Sequence, residues 1–357
     1  MAAYSIQRLL MEVLRHNGSD LHLGVGILPA IRIDGQLRFF GSGEPLTAED
    51  LFSMLGNILT QPQMETLNRE KELDFSFSFR PNAQTSCRFR GNCSFERGNI
   101  CAALRVITTN IRTTKQLLLP QPIDDIANKI RGLFLVTGPT GSGKSTTLAA
   151  IIQQVNMTRS CHIVTIEDPM EYLFVSERSV IHQREVGSDT KNFTEALKRA
   201  LRQDPDIIMI GEMRDLETIG AAITASETGH LVFATLHTQD AAQTIDRIID
   251  VFPSYQQSQV RMQLSTILVG ICSQQLLPLP GGGRMIATEL LLSNAAVRNC
   301  IREGKTSQIK GIMQTGAASG MHSMDQDLAR MVIEGYISRQ DAFIYAYDQK
   351  ELERLLE

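Results

Sequence analysis

The chain has 357 residues, 43% of them hydrophobic and 21% charged, proportions that exclude a disordered or fibrous protein and allow two domains with separate cores. A formal charge of -4 and a pI near 6.0 offer no general attraction to phosphate backbones, so nucleic acid is not an expected partner. No apolar run of about 18 residues suggests a membrane span, Met1 to Leu10 lacks a secretion signal, and six cysteines without a CxxC pair read as reduced thiols, so a cytoplasmic protein that meets membranes only through partners is expected.

Ile6, Leu9, Leu10, Val13 and Leu14 recur at helical spacing, and Asn17-Gly18 ends that helix. Residues 31–33 and 36–39 flank Asp34-Gly35, a hairpin turn signal. Thr47 to Asp50 reads as a capping box opening a helix through Leu51, Met54 and Leu55, ending before Pro62. Leu73, Phe75, Phe77 and Phe79 then alternate with polar residues as a half-buried strand, and residues 87–90 and 102–107 continue in strand fashion. These elements make residues 1–108 a small α+β domain, with 109–122, which holds two prolines and no period, as a linker.

From 123 to the end, apolar strands at 132–137, 162–166, 206–210 and 231–235 alternate with helices from Lys144, around 195–202 and over 218–227. That grammar predicts a doubly wound α/β domain, its parallel sheet covered on both faces. Residues from about 259 onward read as helices, with capping boxes at Ser323 to Gln326 and Ser338 to Asp341.

Gly138, Pro139, Thr140, Gly141, Ser142, Gly143, Lys144 and Ser145 fit GxxxxGK[ST], entered from an apolar strand and followed by a helix that begins Ser145-Thr146. Glycines let backbone N–H groups wrap phosphate oxygens, Lys144 reaches the β and γ phosphates, and Ser145 ligates magnesium, so ATP and Mg are the expected cofactors. Hydrolysis also needs carboxylates at neighbouring strand ends. The strand at 162–166 ends at Glu167, assigned as general base or water positioner, and the strand at 206–210 runs to Glu212, assigned as the magnesium-side acid, although the residues alone leave the reverse assignment open. His230 and His237 bracket the strand 231–236; His237 is placed to sense the γ phosphate, and His230 joins the nucleotide-binding candidates.

With Gly138 to Ser145, Glu167 to Glu171, Gly211 to Asp215 and Thr235 to Thr238 in hand, the chain resembles the PilT family of type IV pilus retraction ATPases, whose Walker A, Asp box, Walker B and His box these look like, in order. Ser19 to Leu23 is similar to that family's N-terminal signature, Arg88-Phe89-Arg90 to its arginine-bearing strand, and Ala296 to Glu303 to its AIRNLIRE element, with Val297 and Cys300 in place of Ile and Leu. The resemblance implies a RecA-like P-loop ATPase domain behind a PAS-like N-terminal domain, a hexameric ring, and docking on the cytoplasmic face of an inner-membrane pilus platform. It also implies that ring motion drives pilus retraction and twitching motility. Among the small domain's arginines, Arg88, Arg90 and Arg105 are candidates to reach a neighbouring subunit's phosphates; ordinary salt bridges are the competing role. Gly91, where the family has Val, is expected to loosen its strand or admit a bulge.

Pilus extension and type II secretion ATPases commonly carry a CxxC zinc element missing here. A PilU-like accessory motor or a DotB-like secretion ATPase shares all four boxes and is the nearest competitor. From other classes, a RecA-like nucleic-acid translocase conflicts with the acidic pI and the lack of Trp, and a nucleotide-gated scaffold with the presence of Lys144, Glu167 and Glu212 together. A GTPase conflicts with Asn128-Lys129-Ile130-Arg131, which lacks the Asp of the guanine-reading motif.

Overall fold

Ile6, Leu9, Leu10 and Val13 are buried along one side of α1 (Ile6–Arg15), the burial their spacing demands. The computed structural model describes residues 4–33, 35–40, 44–81, 87–280 and 282–357, so Asp34 of the expected hairpin turn lies outside the described residues. Two units emerge: Met1–Thr109 with Glu171–Leu173, and Asn110–Met170 with Phe174–Glu357.

In the first unit α1 is followed by β1 (Asp20–Leu23), β2 (Ala30–Ile33), β3 (Gln36–Phe39), α2 (Ala48–Gly56), α3 (Gln61–Glu70), β4 (Glu72–Phe79), β5 (Cys87–Glu96) and β6 (Asn99–Ile107). The strands pair antiparallel in the order β3-β2-β1-β6-β5-β4. One sheet face joins the helices in a core that includes Leu21, Ile31, Phe89 and Leu104. Helix α3 was not expected, because Pro62 read as a stop. Pro62 instead sits in the first turn, where its missing N–H costs nothing, and the Gln63 side chain accepts the Thr60 N–H at 2.9 Å. Gly91 neither loosens β5 nor admits a bulge: pairing to β4 and β6 runs through it in continuous register, and a Cβ there would overlap the Phe75 ring.

The second unit contains α4 (Pro122–Ile126), β7 (Gly132–Thr137), α5 (Lys144–Thr158), β8 (His162–Glu167), β9 (Val180–Glu185), α6 (Phe193–Ala200), β10 (Ile207–Ile210), α7 (Leu216–Glu227), β11 (Leu231–Leu236), α8 (Ala241–Asp250), α9 (Ser254–Ile267), β12 (Leu268–Pro278) and β13 (Arg284–Leu292). Helices α10 (Ala295–Glu303), α11 (Ile309–Thr315), α12 (Met324–Ile333), α13 (Arg339–Tyr345) and α14 (Gln349–Leu355) complete it. The sheet order is β13-β12-β7-β11-β10-β8-β9, parallel except for the β12–β13 pair. Along β7, Leu133 and Leu135 enter one core while Phe134 and Val136 enter another, so the sheet is covered on both faces as its continuous apolar strands require.

The expectation of helices alone beyond residue 259 is overturned by β12 and β13. Their apolar runs are too short for periodicity to separate strand from buried helix, and the glycine run at 281–283 was the hairpin signal left unused. Leu135, Ala234, Ile210 and Ile166 form one transverse row, so the segments leaving β7, β11, β10 and β8 emerge together at the carboxyl edge of the sheet. Among the described residues no helix is long and apolar enough to cross a membrane.

Candidate active site

Strand β7 delivers its chain into the Gly138–Gly143 loop, and α5 starts at Lys144, the geometry that aims a helix N-terminus and loop amides at an anion. Gly138 has φ +136, and a Cβ on it would overlap the Gln274 carbonyl oxygen and stand 2.8 Å from Ser142 Oγ, so only glycine fits. Gly141 and Gly143 also take positive φ. The Ser142 N–H donates to the Pro139 carbonyl at 3.2 Å, tightening the loop. Lys144 is buried, and its Nζ donates to the carbonyls of Gly138 at 2.8 Å and Pro139 at 2.9 Å, so the ammonium already lies inside the loop. Ser145 and Thr146 follow in the first turn of α5, both partly accessible. The loop is braced from β12: Thr137 Oγ1 donates to Ser273 Oγ at 2.9 Å, and Gln274 Nε2 donates to Thr147 Oγ1 at 2.7 Å.

Glu167, the last residue of β8, is buried; Thr165 Oγ1 donates to its Oε1 at 2.6 Å and Gln183 Nε2 at 3.2 Å. A buried carboxylate with hydrogen bonds fixing its rotamer is oriented before any substrate arrives. Gly211 separates β10 from Glu212 and lets β10 press against β8: its N–H donates to the Ile166 carbonyl at 2.7 Å, and a Cβ would lie 3.3 Å from Glu167 Cα. Thr235 Oγ1 donates to the Gly211 carbonyl, and the Met213 N–H returns to the Thr235 carbonyl at 3.0 Å.

Glu212 then meets Arg214 and His237. Arg214 Nη2 stands 2.7 Å from its Oε2, and His237 Nε2 stands 3.0 Å from its Oε1. Burial pushes the Glu212 carboxyl up, but the hydrogen bond from Arg214 and the charges of His237 and Arg214 outweigh it, and the group titrates below the ordinary carboxylate range. Arg214 belongs to the Gly211–Asp215 motif, yet the sequence alone gave it no role, since nothing local says that it folds back onto Glu212.

His230 is a correction. It precedes β11 at the level of Gly132, so the six-residue strand puts it roughly 20 Å from the edge where the loop emerges. Its Nδ1 faces the Ala225 carbonyl at 2.9 Å, a local tie to the end of α7. His237, three residues beyond Ala234, is at the correct edge.

The arginines belong to the other unit, on the sheet face away from its core. Arg32, Asp20, Arg105, Arg90 and Ser76 form one transverse row across β2, β1, β6, β5 and β4. Arg105 Nε contacts Asp20 Oδ1 at 2.7 Å, and Arg88 Nη2 donates to Ser76 Oγ at 2.6 Å. Burial raises the Asp20 carboxyl, but the bonds from Ser19 and Arg105 and the Arg105 charge together hold it below the usual range.

Comparison with known proteins gives this arrangement relatives. The family described as Type II/IV secretion system protein matches residues 3–281. The type IV pilus retraction ATPase PilT of Pseudomonas aeruginosa is 44% identical over 337 residues, covering 94% of this chain and 96% of its own length. A twitching motility protein of Neisseria gonorrhoeae is 47% identical over 342 residues, 95% of this chain and 90% of that protein. A crystal structure of the pilus retraction motor PilT with bound ADP superposes with a TM-score of 0.91 at 47% identity, covering 98% of this chain and 99% of that one. Full-length similarity at this level, joined to a P-loop and two strand-end glutamates at one sheet edge, places the chain in the Type II/IV secretion system protein family, among the PilT-type pilus retraction ATPases.

Proposed function

We propose that the protein is an ATP-hydrolysing motor that powers type IV pilus retraction and, through it, twitching motility. One observation carries the reading: the phosphate loop, His237, Glu212 and Glu167 leave β7, β11, β10 and β8, which stand side by side in that order. At about 4.8 Å per strand, Glu212 is two strands from β7 and Glu167 three, so a triphosphate seated on the loop points its terminal phosphate along a line of His237, Glu212 and Glu167. The loop amides and α5 hold the phosphates, and Lys144 turns from the Gly138 and Pro139 carbonyls to the β and γ oxygens. A magnesium ion, when bound, would spread the charge of the terminal phosphates; the Ser145 hydroxyl and Glu212 are hard oxygen donors suited to it, Glu212 directly only once Arg214 or His237 releases one of its oxygens. Glu167, farther out and fixed by Thr165 and Gln183, orients the attacking water, and His237 donates to the γ phosphate.

Assembly completes the reading. Residues 1–108 form the PAS-like domain, 109–122 the connecting segment and 123–357 the ATPase domain of a hexamer. Arg88, Arg90 or Arg105 of one subunit reaches the phosphates of the next, with Arg105 first having to leave Asp20. The ring works in the cytoplasm against an inner-membrane pilus platform and meets the membrane only through it.

Lys144→Ala tests the site: ATPase activity should vanish, and an unchanged rate overturns it. Glu167→Gln should keep ATP binding and lose hydrolysis; if Glu212→Gln does this and Glu167→Gln does not, the two roles are exchanged. Deleting the protein from its host should leave surplus unretracted pili under the microscope, whereas normal pilus dynamics with lost secretion would move it to a DotB-like role.

A further inference from the structure

The segment His237–Asp240, between β11 and α8, is anchored by groups that arrive from much later in the chain. Glu289, on β13 and 4% exposed, accepts the N–H of Ala241, the first residue of α8, at 2.8 Å. The same carboxylate accepts a backbone bond from Met324, the first residue of α12, so it ties two helix N-termini together. Tyr347, between α13 and α14, donates its hydroxyl to the Gln239 carbonyl at 2.7 Å. Tyr347 is itself fixed: buried Asp325 Oδ1 accepts the N–H of Tyr347 at 2.8 Å and of Asp348 at 3.2 Å, and Gln275 Nε2 donates to the Tyr345 carbonyl at 3.1 Å. Inside the segment, Thr238 and Thr244 share a 2.7 Å hydroxyl bond. His237, which touches Glu212, therefore stands two residues from one long-range anchor and four from another.

We propose that Tyr347 and Glu289 are positioning residues for hydrolysis: they fix the His237–Asp240 segment, and through it hold His237 against Glu212, so that the C-terminal helices set the turnover rate of the nucleotide site. The proposal rests on the reading that Glu212 and His237 act at the terminal phosphate. The P-loop is built on β7, α5 and β12 and uses neither anchor, so loosening the segment disturbs the catalytic step more than nucleotide capture. A misplacement of about 1 Å in a catalytic group costs roughly 100-fold, and freeing one of two anchors is a smaller disturbance.

The test uses the full-length protein. Tyr347→Phe removes one oxygen; Glu289→Ala removes both acceptor oxygens; Glu289→Gln keeps one of them, enough for the Ala241 N–H; His237→Ala is the reference. Steady-state kcat and KM for ATP, ADP affinity and amide exchange over residues 238–241 are measured for each, with circular dichroism confirming the fold. Tyr347→Phe and Glu289→Ala should each lower kcat roughly 10-fold with KM and ADP affinity within about twofold, and speed exchange in the segment. Glu289→Gln should restore most of kcat, and adding Tyr347→Phe to His237→Ala should cost nothing further. Parallel loss of ADP affinity and kcat, or additivity with His237→Ala, would reveal a merely structural role and overturn the proposal. Wild-type kcat in Tyr347→Phe and Glu289→Ala beside an inactive His237→Ala removes the proposal alone, whereas a fully active His237→Ala removes the underlying reading and the proposal with it.

Discussion

His237 Nε2 lies 3.0 Å from Glu212 Oε1 while Arg214 holds the other carboxylate oxygen at 2.7 Å, so a single carboxylate orders two side chains from different segments. The folded-state pKa of Glu212 is depressed, so its stabilising contribution is present above the unfolded value near 4.5 and is lost as pH falls through the folded value. Glu212→Gln keeps the shape and removes the charge. ATPase kcat should drop by roughly 100- to 1,000-fold, the scale for removing a preorganised electrostatic partner. The stability gap between wild type and variant, read from urea midpoints, should narrow as pH falls below about 4.5.

Gly138 and Gly141 separate two effects of adding a methyl group to the loop. Both have positive φ, but a Cβ on Gly138 would overlap the Gln274 carbonyl, a backbone atom of β12 that cannot swing away, whereas nothing lies within 4 Å of a Cβ on Gly141. Gly141→Ala should therefore cost only the strain of a left-handed alanine, about 1–2 kcal/mol. Gly138→Ala adds steric overlap, should cost about 1–3 kcal/mol more, and should weaken ADP binding measured by titration.

What the sequence made legible was local. Strand, glycine loop and Lys144 occupy one continuous stretch, and the ends of β8 and β10 declare themselves because apolar runs stop at acids, so the P-loop, Glu167 and Glu212 could be proposed from spacing alone. His230 misled because a histidine at either end of a six-residue strand looks equally close to a site; only register with β7 shows which end lies at the edge where the glycine loop emerges. Arg214, Gln274, Glu289 and Tyr347 were missed because their partners are set by folding: Tyr347 reaches back 108 residues to Gln239, and Gln274 reaches 127 residues to Thr147. Reading 268–292 as helix also hid Gln274 and Glu289, since neither residue has a neighbour worth bracing until β12 lies beside β7.

Glu289 makes stability depend on pH in the direction opposite to Glu212. Burial pushes its carboxyl up to about 7 from 4.5, against the hydrogen bond from Ala241 and aided by the nearby charges of Asp240 and Asp325. A raised folded pKa means the native state holds a proton that the unfolded state has released, so stability falls as pH rises from about 4.5 to 7 and then levels off. The window corresponds to about 3 kcal/mol. Glu289→Gln cannot titrate and keeps the acceptor for Ala241, so subtracting its urea-denaturation free energy from that of wild type at pH 5 and pH 8 should expose a loss of a few kcal/mol carried by wild type alone.

The middle of β5 carries a residue without a side chain where packing decides the sign of a substitution. Gly91 sits mid-strand in β5, paired to Phe75 on β4 and Leu104 on β6. A glycine there costs backbone entropy, and by that measure a valine should stabilise the strand. Packing reverses the sign. The Phe75 ring occupies the space a side chain at 91 would need, and Leu104 Cδ2 would stand 3.0 Å from a new Cβ. Phe75 is itself buried and stacked on Phe77, with ring centroids 5.8 Å apart, so it has little room to retreat. Gly91→Val should therefore destabilise the protein by about 1–3 kcal/mol as overpacking. Phe75→Leu, which shortens the intruding side chain, should recover much of that loss in the double variant although it is destabilising by itself; thermal melts of the four proteins measure the coupling. Additive losses would mean that the ring and the glycine do not share this space.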